Sequence, residues 1–196
     1  MTMTTALERV VRRAADRRAE ASQRCSLCGS AIAPTHRHLL DKAKDTLLCV
    51  CYACSVLFNR DAASEGHYRL VPERRVRLTG VEPAILGVPV GLAFFVKQDD
   101  GTVVAHYPSP AGATRWEVDI DAWTTVAQRC AELDAMAADV EALLVNSRQG
   151  DGVAWLVPID DCYRLVAIVR THWRGMYGGD AVWPAIGSFF AELRPS

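Results

Sequence analysis

Arg24-Cys25-Ser26-Leu27-Cys28-Gly29 and, further along, Leu48-Cys49-Val50-Cys51-Tyr52-Ala53-Cys54 are the stretches on which the reading of this chain turns. Two cysteines separated by two residues on a tight turn aim both sulfurs at one point. Two such knuckles complete a tetrahedron around a metal ion at Zn–S distances of about 2.3 Å. Gly29 stands where the first knuckle calls for positive φ. Twenty-two residues separate Cys28 from Cys51, slightly beyond the usual ribbon spacing and enough for a hairpin. The expected ligands are Cys25, Cys28, Cys51 and Cys54 around one ion. Cys49 lies two residues before Cys51, and His36 and His38 alternate in the same way inside the intervening segment, so any of the three competes for a place in the set. A histidine near such a site is more often a hydrogen-bonding neighbour or a solvated residue than a ligand, which keeps the two C-x-x-C pairs as the expected set.

Composition agrees with that chemistry. Seven cysteines are an odd number, and four of them sit in the two pairs, which favours metal ligation in a reducing compartment over a disulfide framework. The chain is half apolar, 23% charged and carries a net charge of −1, the proportions of a soluble globular protein. Its longest apolar stretch, Ala84 to Val96, is 13 residues long and interrupted by Gly87, Pro89 and Gly91, too short to span a bilayer. The arginine-rich start interleaves Glu8, Asp16 and Glu20 and is not followed by an apolar export signal. A cytoplasmic protein with no membrane partner is expected. Charge is uneven: residues 1–24 and 25–80 each carry +3, and residues 81–196 carry −7, a basic front and an acidic back.

Patterning divides the chain into a lead-in helix over residues 1–23, a metal-binding ribbon over 24–71 and a larger domain over 72–196. Leu7, Val10, Val11 and Ala14 fall on one helical face. From Arg24 to Val71 only short apolar pieces occur, at His38–Leu40, Thr46–Val50 and His67–Val71. A module of ~45 residues with so little apolar mass is marginal without a metal or a disulfide.

Beyond it, Gly91–Gln98, the Asp99-Asp100-Gly101 turn and Thr102–Tyr107 read as a hairpin, and Ser109-Pro110-Ala111-Gly112 as a loop. Asp119 or Asp121 is placed to cap a helix from Trp123 to about Leu133. Val140–Val145 and Val153–Val157 read as strands about a Gly150-Asp151-Gly152 turn. Asp160 or Asp161 then caps a helix with apolar residues at Cys162, Leu165, Val166, Val169, His172 and Trp173, and Trp183–Leu193 forms the last helix. The expected fold class is α+β: a small zinc-ribbon-like module followed by an α+β domain with a largely antiparallel sheet.

Other chemistry is weaker. Ser109 and His106 lie near aspartates, but no G-x-S-x-G elbow is present and Ser109 stands between two prolines. Arg74, Arg75 and Arg77 lack interleaved aromatics and read as a solvated strand edge, which makes a nucleic-acid partner a weak alternative. Cys130 and Cys162 read as core cysteines on apolar helix faces, and His172-Trp173-Arg174 as an ordinary helix end.

A four-thiolate site holds zinc or iron, and only iron gives redox function. The glycine after Cys28 resembles the rubredoxin knuckle, but Ser55 stands where the second rubredoxin knuckle carries glycine, which tilts the expectation to zinc and leaves a rubredoxin-like iron electron carrier as the alternative. Several segments, Cys25–Gly29, His36–Asp41, Leu47–Leu57, Val88–Phe95, Tyr107–Thr114, Asp139–Asn146 and Val157–Gly179, together resemble an uncharacterised actinobacterial family encoded beside high-affinity uptake nickel-iron hydrogenases. That resemblance implies a hydrogenase accessory role, with a hydrogenase subunit or maturation factor as partner, and carries over no activity; the expected function is a non-enzymatic accessory or assembly protein with structural zinc and a partner-docking α+β domain.

Overall fold

The computed structural model describes residues 24–59, 67–87, 91–147, 152–176 and 178–196. The helix expected over the first 23 residues lies outside them, as does most of the turn expected at Gly150–Gly152. The chain divides into two compact units, Met1–Leu70 and Val71–Ser196. Both are built on antiparallel sheets, and the α+β class holds.

The first unit is a three-stranded sheet in the order β2-β1-β3, with β1 at Arg37–Asp41, β2 at Thr46–Val50 and β3 at Tyr68–Leu70. Arg37 pairs with Val50 and Asp41 with Thr46, so β1 and β2 form a hairpin in full register. Asp41, at the bend, is buried and accepts from the Lys44 backbone N–H at 3.2 Å while its other oxygen meets Lys44 Nζ at 3.1 Å. The hairpin carries the chain from the end of the first knuckle to the start of the second. Its core is small: Cys25, Ile32, Leu39 and Val50, with Leu48, Phe58 and Leu70 packed against them.

The second unit is a six-stranded sheet in the order β4-β9-β8-β5-β6-β7. Its strands are β4 Val76–Leu78, β5 Leu92–Lys97, β6 Val103–Ser109, β7 Gly112–Glu117, β8 Glu141–Asn146 and β9 Val153–Pro158. Helices α2 (Ile120–Ala127) and α3 (Ala131–Asp134) contribute Trp123, Val126, Ala127 and Leu133 to a core on one face, against Ala93, Phe95, Leu143, Val145 and Leu156. Helices α4 (Ile159–His172) and α5 (Gly179–Glu192) pack on each other, and α4 lies against β6 to β9. Their buried Cys162, Leu165, Val169, Val182, Ile186 and Phe189 stand apart from the first core. The central strands are therefore covered on both faces, which is why β8 is buried along its whole length and reads as an apolar run rather than an alternation.

Several sequence expectations shift. The segment read as a loop at 109–112 is a tight turn from β6 into β7, with Ser109 opposite Gly112. The helix expected from Trp123 to Leu133 begins at Ile120, capped by Asp119, and breaks at Cys130, whose φ of −143° is extended. Asp160 and Asp161 sit in the first turn of α4, while Pro158 holds the cap position. Helix α5 starts at Gly179 instead of Trp183 and carries Pro184 inside it. Gly178, at φ +93°, sets its start, and a Cβ there would meet Val182 Cγ1 at 2.9 Å.

Arg74 and Arg75 differ most from their expected role as solvated edge residues. Arg74 donates to both oxygens of buried Glu141, at 2.9 and 2.7 Å, and Arg75 donates to buried Asp161 at 2.6 Å. A carboxylate taken out of water needs such partners, and Glu141 also accepts the Ala137 N–H at 2.8 Å. Among the described residues no helix is long and apolar enough to cross a membrane.

Candidate metal centre

The first knuckle is a closed backbone loop. Gly29 N–H donates to Cys25 O at 2.9 Å, Cys25 N–H to Ser30 O at 2.8 Å, and Arg24 bridges Ala31. Gly29 takes φ +72°, the left-handed conformation that the turn requires and that side chains disfavour. Ser26 N–H donates to Cys49 O at 2.7 Å, which ties this loop to β2.

The second knuckle is the start of a helix, α1 (Tyr52–Val56). Cys51 holds its N-cap position with extended backbone, and its sulfur accepts the Cys54 N–H at 3.4 Å while its carbonyl accepts the Ser55 N–H at 3.0 Å. The cap thus does two jobs: it satisfies an orphan helix donor and holds Cys51 Sγ beside Cys54. Ser55 is buried and donates its hydroxyl to Tyr52 O at 2.8 Å, inside the first helical turn.

Cys25, Cys28, Cys51 and Cys54 place their sulfurs within 4.8 Å of one another. Cys28 Sγ and Cys51 Sγ, one from each knuckle, are 3.8 Å apart. Four sulfurs at about 2.3 Å from a central ion lie about 3.8 Å from each other, so this spacing fits a tetrahedral thiolate centre. Cys25 is buried and Cys28 exposed, which puts the centre at the surface.

Electrostatics make the same case. Burial pushes the Cys25 thiol up, but hydrogen bonding from the backbone of Cys51, Cys28 and Leu27 outweighs it and brings the thiol down to about 6. The Ser30 hydroxyl, 3.3 Å away, holds Cys28 low as well. Cys54 is pushed up to about 12 by hydrogen bonding with Cys51 and Cys28 and by burial. Four thiols this close do not all ionise by themselves. A metal ion held there would supply the missing positive charge and keep all four as thiolates.

The other sequence candidates lie elsewhere. His36, His38 and Cys49 form a separate cluster. Cys162 is fully buried, and burial pushes its thiol well up; Cys130 is buried and lies 3.3 Å from Glu132 Oε2. His106 stacks on Phe94 with ring centroids 4.7 Å apart, and Ser109 closes the β6–β7 turn. His172 Nδ1 lies 3.0 Å from Ile168 O, within its own helix.

The partnerships of Arg74 and Arg75 were missed by the sequence reading. A signal existed for each: Glu141 opens a run that is apolar from Ala142 to Val145 and Asp161 precedes an apolar helix face, and a buried carboxylate calls for a cation.

Residues 24–196 match the model of a family described as a family of unknown function, DUF5947. No curated protein and no solved structure matches the chain.

Proposed function

The chain belongs to this family of unknown function, and from its sulfur cluster we propose a non-enzymatic accessory or assembly protein in which structural zinc rigidifies a recognition module and the α+β domain presents a partner-binding surface. The observation that carries the reading is the set of four cysteine sulfurs within 4.8 Å of one another. Four thiolates fill a tetrahedral site, so zinc bound there contributes folding energy and offers neither an open position nor an electron. The choice of zinc over iron rests on Ser55, which stands where the second rubredoxin knuckle carries glycine.

A binding role draws support from apolar side chains left in water. Leu27, Tyr52, Val56 and Leu57 are exposed on and just after the knuckles. In the second unit, the outer strand β7 carries Trp116, 71% exposed. The proposed partner is a nickel-iron hydrogenase subunit or maturation factor, on the resemblance of the segments named above; the docking surface is the Trp116 edge.

Metal analysis and the visible spectrum of freshly isolated, tag-free protein, dialysed against a weak chelator, test the metal. The expected result is a colourless protein with about one tightly held zinc per chain. A red iron protein that bleaches reversibly on reduction would replace this reading with the electron carrier. A low-salt pull-down from the native cell tests the partner: wild type recovers a hydrogenase subunit or maturation factor, and Trp116→Ala recovers severalfold less. Capture of nucleic acid alone would overturn the accessory role.

A further inference from the structure

His36 directly precedes β1 and His38 lies within it, two residues apart on extended chain, so their side chains share a face. Cys49, on β2, pairs directly opposite His38, which places its side chain on that face as well. The ligand atoms of the three lie within 4.8 Å of one another, and the two imidazole centroids are 4.7 Å apart. All three residues are half-buried.

The hydrogen bonding of His36 indicates what the cluster is for. His36 Nδ1 lies 2.9 Å from Ala33 O. A carbonyl oxygen only accepts, so the ring proton on that side belongs to Nδ1, and Nε2 of the neutral ring carries a lone pair. Nε2 is buried and makes no hydrogen bond. A buried acceptor without a partner is costly, and a histidine that donates one ring N–H to a backbone carbonyl while presenting the other nitrogen bare has the arrangement typical of a metal ligand.

We propose that His36, His38 and Cys49 form a second metal site, distinct from the four-cysteine centre, that takes a borderline divalent transition-metal ion. Two imidazoles and one thiolate suit such an ion and not calcium or magnesium, which require oxygen ligands. Bound zinc would draw the three ligand atoms to about 3.3–3.6 Å apart, an adjustment within the reach of side-chain rotation. Three protein ligands leave a fourth position for water or an incoming ligand, so this site exchanges its ion where the four-thiolate centre retains its own. The two centres are mechanically joined. Cys49 carries a ligand of the second and, through its carbonyl, anchors the knuckle of the first.

The test is titration of the zinc-loaded full chain, already dialysed against a weak chelator, with zinc in the presence of a chromophoric competitor, and in parallel with cobalt(II). Wild type is expected to take up about one further equivalent and, with cobalt(II), to develop thiolate charge-transfer and intense tetrahedral d–d bands. His36→Ala, His38→Ala and Cys49→Ser each lose that equivalent while retaining the tightly held zinc, which also reports that the hairpin is folded. His36→Asn keeps a donor for Ala33 O and removes Nε2, and it loses the equivalent in the same way. Absence of further uptake by wild type, or uptake by His36→Asn equal to wild type, overturns the proposal. So does loss of the tight zinc from Cys49→Ser with the exchangeable site left intact, because Cys49 would then belong to the first centre.

Discussion

The two units of the chain differ sharply in how much apolar mass they bury. In the larger one, the central strands of a six-stranded sheet are covered by helices on both faces, and side chains as large as Phe94, Phe95, Leu143, Leu156 and Phe189 are almost wholly removed from water. In the smaller one, Cys25, Ile32, Leu39 and Val50 make up the buried cluster. At roughly 25 cal/mol per Å² of apolar surface, a core of that size gives little surplus over the chain entropy lost on folding. The comparison teaches where a metal has most to contribute: the chain relies on burial where it has apolar mass, and where it does not it gathers four cysteine sulfurs that could hold an ion.

Metal removal makes the largest test of that contrast. Cys54→Ser, or a strong chelator under reducing conditions, is expected to unfold residues 24–70, since structural zinc supplies on the order of 10 kcal/mol of folding energy to small modules. Hydrogen exchange checks it: amides of β1 and β2 lose protection while those of β5 and β8 keep theirs. Retention of the β1–β2 protection without metal would break the comparison.

Phe95→Ala should do the reverse. It leaves a cavity in the core of the second unit and is expected to cost about 3–5 kcal/mol. Denaturant unfolding followed by tryptophan fluorescence measures the loss, and the tightly held zinc should stay at the wild-type level. A fall in metal content would mean that the two units do not fold as separately as their cores imply.

A smaller effect belongs to Glu141→Gln, which keeps the shape and the Ala137 hydrogen bond but removes the charge facing Arg74. Glu141 is 1% exposed, but the Arg74 side chain is 38% exposed, so water offsets part of the loss and about 2 kcal/mol is expected. Urea unfolding curves decide it, and a cost close to zero would make the pair dispensable to the second unit.

Parts of the fold were legible from patterning. The β5–β6 hairpin, the strands near 140 and 153 and the existence of α4 follow from apolar runs between turn signals. Strand β7 was not legible, because Gly112–Glu117 is an edge strand left largely in water and needs no apolar alternation. The break at Cys130 was hidden for a related reason: Trp123, Val126 and Leu133 all face one core whether the helix is continuous or interrupted.

The spacing of Cys25, Cys28, Cys51 and Cys54 by itself determined the candidate ligand set, because two knuckles two residues wide restrict where four sulfurs can point. Position along the chain did not determine how Cys49, His36 and His38 group. All three lie between or beside the knuckles, and only the register that sets Cys49 opposite His38 gathers them into a cluster of their own. Tertiary structure also chose the partners of Arg74 and Arg75, which are carboxylates 67 and 86 residues away. Local patterning records what a segment does with its own neighbours, and a pairing at that separation exists only after the sheet has brought β8 and the start of α4 beside the approach to β4.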